Sequence, residues 1–361
     1  MKIKIKQIIS SIVFLFLVSM MIVGLGNIVL PKNRNYMLKR GFENEKKDFD
    51  LLICGSCHSY TSFNPIQCYQ DYGITSYNVG QGSETIAGSY LQLVDYLEKT
   101  DAKVVLVETW GINAKETYIS QESIEGALMA SAVDNNYFSL EKLSVILDFE
   151  LLNWIDELTY LTRYKGRLLD GSIGATDFID SYATLMEINQ YNNNESEKWE
   201  TKNRLANKGY KYMSETLPDD TSIVIPEVNE TEYLEADKEQ LNYIDKIIEL
   251  CKKENVNVFF YRAPYSCTEN ELKRSNYLKK YIEDRGETYI DLNKEIEFDY
   301  CKEFYDEYHL NVYGAEKSTE YLVNVIKEKC AMKDHREEIG YEEWDKIELQ
   351  KIPREKVIEE E

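Results

Sequence analysis

Cys54-Gly55-Ser56-Cys57-His58 sets two thiols, a hydroxyl and an imidazole within five consecutive residues. Three chemistries suit that string. C-x-x-C-H is a pattern of covalent haem attachment. C-x-x-C alone is a thiol–disulfide redox pair. Gly55-Ser56-Cys57, coming straight after the apolar run Leu51-Leu-Ile-Cys54, is a tight turn that lifts a nucleophile off the end of a strand. The nucleophile would be the Cys57 thiol, or the hydroxyl of Ser56 or Ser59. A second group, Asp306-Glu-Tyr-His309, separates a carboxylate from an imidazole by three residues. On a turn, that spacing lets the carboxylate hold one ring nitrogen, fix the tautomer and stabilise an imidazolium; otherwise it is a surface aspartate beside a packed histidine. Of the other two histidines, His58 adjoins the first turn, where it would bind substrate or cap the next helix. His335 sits in the charged stretch Lys333-Asp-His-Arg336 and is expected to be solvated and inert. Arg262, in Arg262-Ala-Pro-Tyr265, would meet an anionic substrate group such as a phosphate or carboxylate, or be a plain surface arginine.

The elements around these residues alternate. Asp50–Cys54, Thr75–Val79, Lys103–Glu108, Asn257–Tyr261 and Thr288–Asp291 are short apolar runs bounded by Gly or Pro and read as buried strands. Between them, Glu84–Thr100 reads as a helix, as does the stretch carrying Leu241, Ile244, Ile248 and Cys251 at helical spacing. A last helix follows Gly314. Strands alternating with helices imply an α/β fold: a three-layer, doubly wound parallel sheet, flavodoxin-like in strand order, with functional groups at the carboxyl ends of the strands. This domain is expected over 49–330. A long insertion at about 115–236 interrupts it, helical from Ser139 to Asp170 and polar and loop-rich from Gln190 to Asp237. It reads as a substrate lid or as decoration. Residues 31–48 read as a polar, basic linker, and 331–361 as a charged acidic tail with partial disorder. No internal repeat is found.

Residues 8–30 are apolar and long enough to cross a bilayer, behind Lys2, Lys4 and Lys6, and read as an uncleaved anchor following a short cytoplasmic tail. The short basic tail favours a large domain on the outer face. The net charge of −22 argues against a nucleic-acid partner, since phosphate binding needs a basic face. The seven cysteines are odd in number and show no disulfide framework, so most read as small buried residues.

The order of these motifs resembles that of the SGNH/GDSL hydrolase superfamily. The resemblance covers about 49–114 and 237–328. In that family a nucleophile follows the first strand in a Gly-x-Ser turn, the place held here by Gly55-Ser56-Cys57. A glycine after the second strand lies in the oxyanion hole, with Gly80 and Gly82 as the matching positions. Gly-x-Asn follows the third strand, matched by Gly111-Ile-Asn113, and Asp-x-x-His precedes the last helix, matched by Asp306 and His309. Membrane-anchored extracytoplasmic members, similar to the D-alanine-transfer protein of teichoic acid synthesis and to alginate O-acetylation proteins, look closest. The departure is Cys57 where the family has serine.

That resemblance implies an acyl-ester hydrolase or O-acyltransferase acting on a cell-envelope glycan. Cys57 would be nucleophile, His309 base and Asp306 its orienter; the N–H groups of Gly82 and Cys57, with Asn113, would hold the oxyanion. No metal or organic cofactor is implied. The partners implied are an acylated glycan or other envelope ester, the membrane through residues 8–30, and a membrane-bound acyltransferase. The alternative is a non-catalytic module of the same fold that binds glycan or such an acyltransferase; a redox protein is a third reading.

Overall fold

Five apolar segments become strands in the computed structural model: β1 (Leu51–Cys54), β2 (Ser76–Asn78), β3 (Val104–Glu108), β4 (Asn257–Arg262) and β5 (Thr288–Asp291). The described residues are 2–30, 34–45, 49–114, 139–148, 166–171, 195–218 and 225–347, together with 161, 164, 173 and 223. All strand pairings are parallel, in the order β2-β1-β3-β4-β5. This is the flavodoxin-like order expected from the sequence. Because the chain leaves β1 and β3 toward opposite sides, a crevice opens beyond their carboxyl ends.

Side chains alternate across the sheet. Leu52, Cys54, Val105, Val107 and Phe260 pack with Leu91 and Leu93 of the helix Ile86–Leu97 and with Ile244, Ile247 and Ile248 of the helix Lys238–Lys253. Leu51, Ile53, Val104, Leu106, Phe259 and Tyr261 face the other way, toward Leu322, Val323 and Ile326 of the helix Val312–Lys329. Burial on both faces is why these strands are near-continuous apolar runs rather than alternating ones.

Helix Lys2–Val29 contains the span Ile5–Gly26, long and apolar enough to cross a membrane and unburied by the rest of the chain. Its end is different: Val29 and Leu30 are buried, and Arg167 donates to the Val29 carbonyl at 2.8 Å.

Two expectations are corrected next to this helix and at the other terminus. The stretch read as a linker folds over Arg34–Asn44 into a helix. Met37, Leu38, Gly41 and Phe42 form its buried stripe, and the Phe42 ring packs 4.4 Å from Tyr96 and 5.1 Å from Tyr77. Its basic residues are matched by carboxylates, Arg34 by Glu200 at 3.2 Å and Lys39 by Asp95 at 3.0 Å, so a polar composition hid a docked helix. Of the tail, residues 331–347 pack on the domain. His335, expected to be solvated, is buried: Nε2 lies 2.9 Å from Asp50 Oδ2 and Nδ1 lies 2.7 Å from Glu338 Oε2. Trp344 is buried against Tyr69, with ring centroids 5.2 Å apart. Residues 348–361 lie outside the described residues.

Within the insertion, the described helices are Leu140–Asp148, Gly166–Leu169 and Glu195–Ala206, the last inside the stretch expected to be loop-rich. The rest of the Ser139–Asp170 expectation falls largely outside the described residues.

Candidate active site

The turn after β1 is built by a glycine and a buried carboxylate. Gly55 has φ +130°, and a Cβ there would stand 2.6 Å from the Glu108 Cβ and 2.8 Å from the Glu108 carbonyl oxygen. Only glycine tolerates both that dihedral and that approach. Ser56 then caps the six-residue helix Cys57–Ser62. Its Oγ accepts the His58 N–H at 3.3 Å and donates to Glu108 Oε2 at 2.6 Å, while its own N–H donates to the same oxygen at 3.2 Å. Ser56 is therefore a buried brace rather than a nucleophile. Ser59 is likewise engaged, donating to the Ser56 carbonyl at 2.8 Å. Burial pushes the Glu108 carboxyl up to about 7, against the lowering effect of its hydrogen bonds from Ser56 and Trp110.

Cys57 opens the helix and is half-buried, whereas Cys54 is fully buried in the sheet core, where burial raises its thiol well above the ordinary range. Cys54 thus faces away from any external haem, and the described cysteines carry no disulfide. The turn reading is the one this geometry favours.

Asp306 and His309 come from a loop closed by the antiparallel bridge Phe304↔Leu310. Asp306 Oδ1 accepts the backbone N–H groups of Tyr308 and His309, both at 2.8 Å, and each carboxylate oxygen lies 2.9 Å from His309 Nδ1. With Nδ1 engaged, Nε2 is the nitrogen left for the Cys57 thiol, which lies within 4.8 Å of a ring nitrogen of His309. Burial disfavours the imidazolium, yet hydrogen bonds to Asp306 and Cys57 and their charges outweigh it and raise His309 to about 9. Asp306 is held below its ordinary value: burial opposes this, but the hydrogen bond and charge of His309 prevail. The three residues matched to the catalytic set in the sequence do converge, across the carboxyl end of β1.

His58 lies against them. Its ring is 5.3 Å from His309, nearly parallel at 22°, 4.7 Å from Tyr265 and 5.7 Å from Trp110. Ser56 Oγ gives its proton to Glu108, so it accepts from His58 Nδ1, 3.0 Å away. Burial first, then the neighbouring charge of His309, holds the His58 imidazolium well below the ordinary value.

The expected oxyanion donors fare unequally. The Gly80 N–H already donates to Asn78 Oδ1 at 3.1 Å, and the Gly80 carbonyl accepts from Arg204 at 2.6 Å. Gly82 lies beside Arg34 and Tyr60; a Cβ there would stand 3.4 Å from Arg34 Nη2. Asn113 sits in the 3-10 turn Trp110–Asn113, fixed by Arg274 at 2.6 Å, with its amide toward the Tyr265 hydroxyl at 3.4 Å.

Arg262 is corrected. It is buried, 3.0 and 3.1 Å from the two oxygens of Asp291, and donates to Cys267 Sγ at 2.9 Å. The β4–β5 register places Arg262 opposite Asp291, so this guanidinium ties two strand ends together instead of reaching for a substrate anion. Three contributors escaped the sequence reading: Glu108, Tyr265 and Arg204. Glu108 had a signal, a carboxylate ending the otherwise apolar run Val104-Val-Leu-Val-Glu108 at the switch point. A cleft of about 580 Å³ between the helices Ile86–Leu97 and Lys238–Lys253 lacks cysteine or histidine in its lining and is separate from this site.

No curated protein matches the chain. The model of an uncharacterised family matches residues 226–331, a stretch that holds β4, β5, Asp306 and His309 but not Cys57.

Proposed function

We propose that this protein is a membrane-anchored, SGNH-like acyl-ester hydrolase or O-acyltransferase of the cell envelope, with its domain on the extracytoplasmic side. The observation that carries the reading is the chain Cys57–His309–Asp306 at the carboxyl end of β1. An imidazolium beside a thiol is the electrostatic setting in which a thiolate nucleophile works. The Cys57 thiolate attacks the ester carbonyl carbon. The resulting oxyanion collapses, the C–O bond breaks, and His309 gives its Nε2 proton to the departing alkoxide. The acyl group is now a thioester on Cys57 and His309 is neutral. His309 then takes a proton from water or from an acceptor hydroxyl, whose oxygen displaces the thiolate. Asp306 keeps the ring oriented and stabilises its charged form in both halves. The acylated partner would be an envelope glycan or similar ester, and the anchor would keep the domain near a membrane-bound acyltransferase.

The test is trapping. A chromogenic acyl ester should leave an acyl adduct on Cys57, read by intact mass and peptide mapping, and Cys57→Ala should abolish it. Cys57→Ser should retain some turnover, since a hydroxyl fits the same place. An adduct elsewhere, or ester turnover that survives Cys57→Ala, refutes the assignment. One observation favours a non-catalytic binding module instead: the Gly80 N–H is engaged by Asn78. If neither the native protein nor Cys57→Ser turns over any ester, the binding module is the reading that stands.

A further inference from the structure

Two hydrogen-bonded relays end at imidazoles beside the same thiol. In one, Glu108 Oε2 receives the Ser56 hydroxyl at 2.6 Å, and that hydroxyl meets His58 Nδ1 at 3.0 Å. In the other, Asp306 holds His309 Nδ1 at 2.9 Å. Each relay fixes an imidazole through Nδ1 and leaves Nε2 for the space between the rings. One ligand atom from each of Cys57, His58 and His309 lies within 4.8 Å of the other two. His58 is only 3% exposed, and its Nε2 is buried without a hydrogen-bond partner. Acyl transfer uses Cys57 and His309 and leaves that nitrogen without a task.

We propose that Cys57 Sγ, His58 Nε2 and His309 Nε2 form a binding site for zinc, and that zinc and acyl substrate exclude one another there. A thiolate with two imidazoles selects a borderline-soft cation over magnesium or calcium, which prefer oxygen ligands. Three protein ligands with a fourth position toward solvent is an open zinc geometry, and Cys57 and His309 are both partly exposed. A carboxylate behind each histidine, direct for His309 and through Ser56 for His58, is the arrangement that orients metal-bound imidazoles and strengthens them as donors. A tetrahedral zinc wants its ligand atoms about 3.5 Å apart, so the widest pair closes by at most about 1.3 Å.

Binding is ligand exchange without redox change. One Zn–S and two Zn–N bonds form, the aqueous cation sheds all its waters but the one in the open position, and one proton leaves to solvent, from the thiol or from the imidazolium facing it. The sulfur and Nε2 lone pairs needed for acyl transfer are then occupied, so zinc acts as an off-switch. The zinc site stands on the three ligand atoms; its part as an off-switch rests on the acyl-transfer reading.

The experiment uses full-length protein in detergent, stripped with a chelator and titrated with zinc chloride against a chromophoric competitor. One zinc should bind per chain, with release of about one proton. Cys57→Ser and His58→Gln should each weaken it at least tenfold, and Ser56→Ala or Asp306→Asn by roughly 10–100-fold. Cobalt in place of zinc should show thiolate-to-cobalt charge-transfer absorption that Cys57→Ser lacks, a readout that survives if His58→Gln misfolds. Stoichiometric zinc should slow iodoacetamide alkylation of Cys57 but not of Cys301 or Cys330, and EDTA should restore it. Unchanged zinc affinity in the Cys57→Ser, His58→Gln double variant places the metal elsewhere on the acidic surface and overturns the proposal, as does unprotected alkylation. A protein that binds zinc here but never forms an acyl adduct when metal-free loses only the acyl-transfer reading; an adduct without zinc binding loses only this one.

Discussion

Asp306 grips His309 at a single ring nitrogen with both carboxylate oxygens, each 2.9 Å from Nδ1. That grip sets the tautomer and raises the imidazolium above its ordinary value. Asp306→Asn keeps the shape and removes the charge. The His309 pKa, followed by NMR of the ring protons, should fall from about 9 toward the ordinary 6.5. Alkylation of Cys57 should slow in the same variant, and ester turnover should drop by roughly 10²-fold or more. An unmoved His309 titration would show that Asp306 is not its orienter.

Stability should depend on pH with a definite sign. His309 is raised in the folded state, burial being outweighed by Asp306 and Cys57, so its contribution is fully present below 6.5 and is lost as pH rises through about 9. Glu108 is raised to about 7 by burial, so between 4.5 and about 7 the folded state holds a proton the unfolded state has lost. Stability therefore falls with rising pH there too. Up to pH 6.5 the neutral His58, held below its ordinary value by burial, opposes this slope, so thermal midpoints should decline from about pH 6.5 toward about 9. Glu108→Gln should flatten the lower part of the decline and Cys57→Ala the upper part; a midpoint that rises across this range contradicts both assignments.

Gly55→Ala should be severe for a single methyl. The added Cβ meets backbone and Cβ atoms of Glu108 in β3, which cannot rotate aside, at a dihedral that side chains avoid. Urea denaturation should show a loss of about 2–5 kcal/mol. Gly286→Ala is the control: it has positive φ, +82°, but open space around it, so it should lose less.

The boundary between anchor and domain should lie before Arg34. Full-length protein should sediment with membranes and resist alkaline extraction. A chain beginning at Pro31 should be soluble and folded, since it keeps the helix Arg34–Asn44. A chain beginning at Phe49 should be destabilised, because it strips Phe42 from its contacts with Tyr77 and Tyr96. Phe42→Ala in the longer chain should cost about 3–5 kcal/mol by the same loss. Equal denaturation midpoints for the two truncated chains would show that the helix adds nothing.

What could be read from the sequence was local or periodic. The strands are legible because a parallel sheet covered on both faces needs unbroken apolar runs, and Val104-Val-Leu-Val-Glu108 is one. Asp306 and His309 are legible because a carboxylate three residues before an imidazole can reach it within one turn. The 23-residue, largely apolar run from Ile8 to Leu30 announces a span by length alone. Tertiary structure decided whatever depends on groups far apart in the chain. Register across β4 and β5 pairs Arg262 with Asp291 and so removes it from the substrate. Asp50 meets His335 only after the sheet is wound and the C-terminal segment returns to it, which turns a charged tail into packed structure. Ser56 became a brace because β3 delivers Glu108 beneath it. His58, neighbour to Cys57 in sequence, acquired its buried and unpartnered Nε2 only when His309, Tyr265 and Trp110 closed around it. Desolvation and long-range pairing belong to the folded surroundings, so residue type and spacing alone do not encode them.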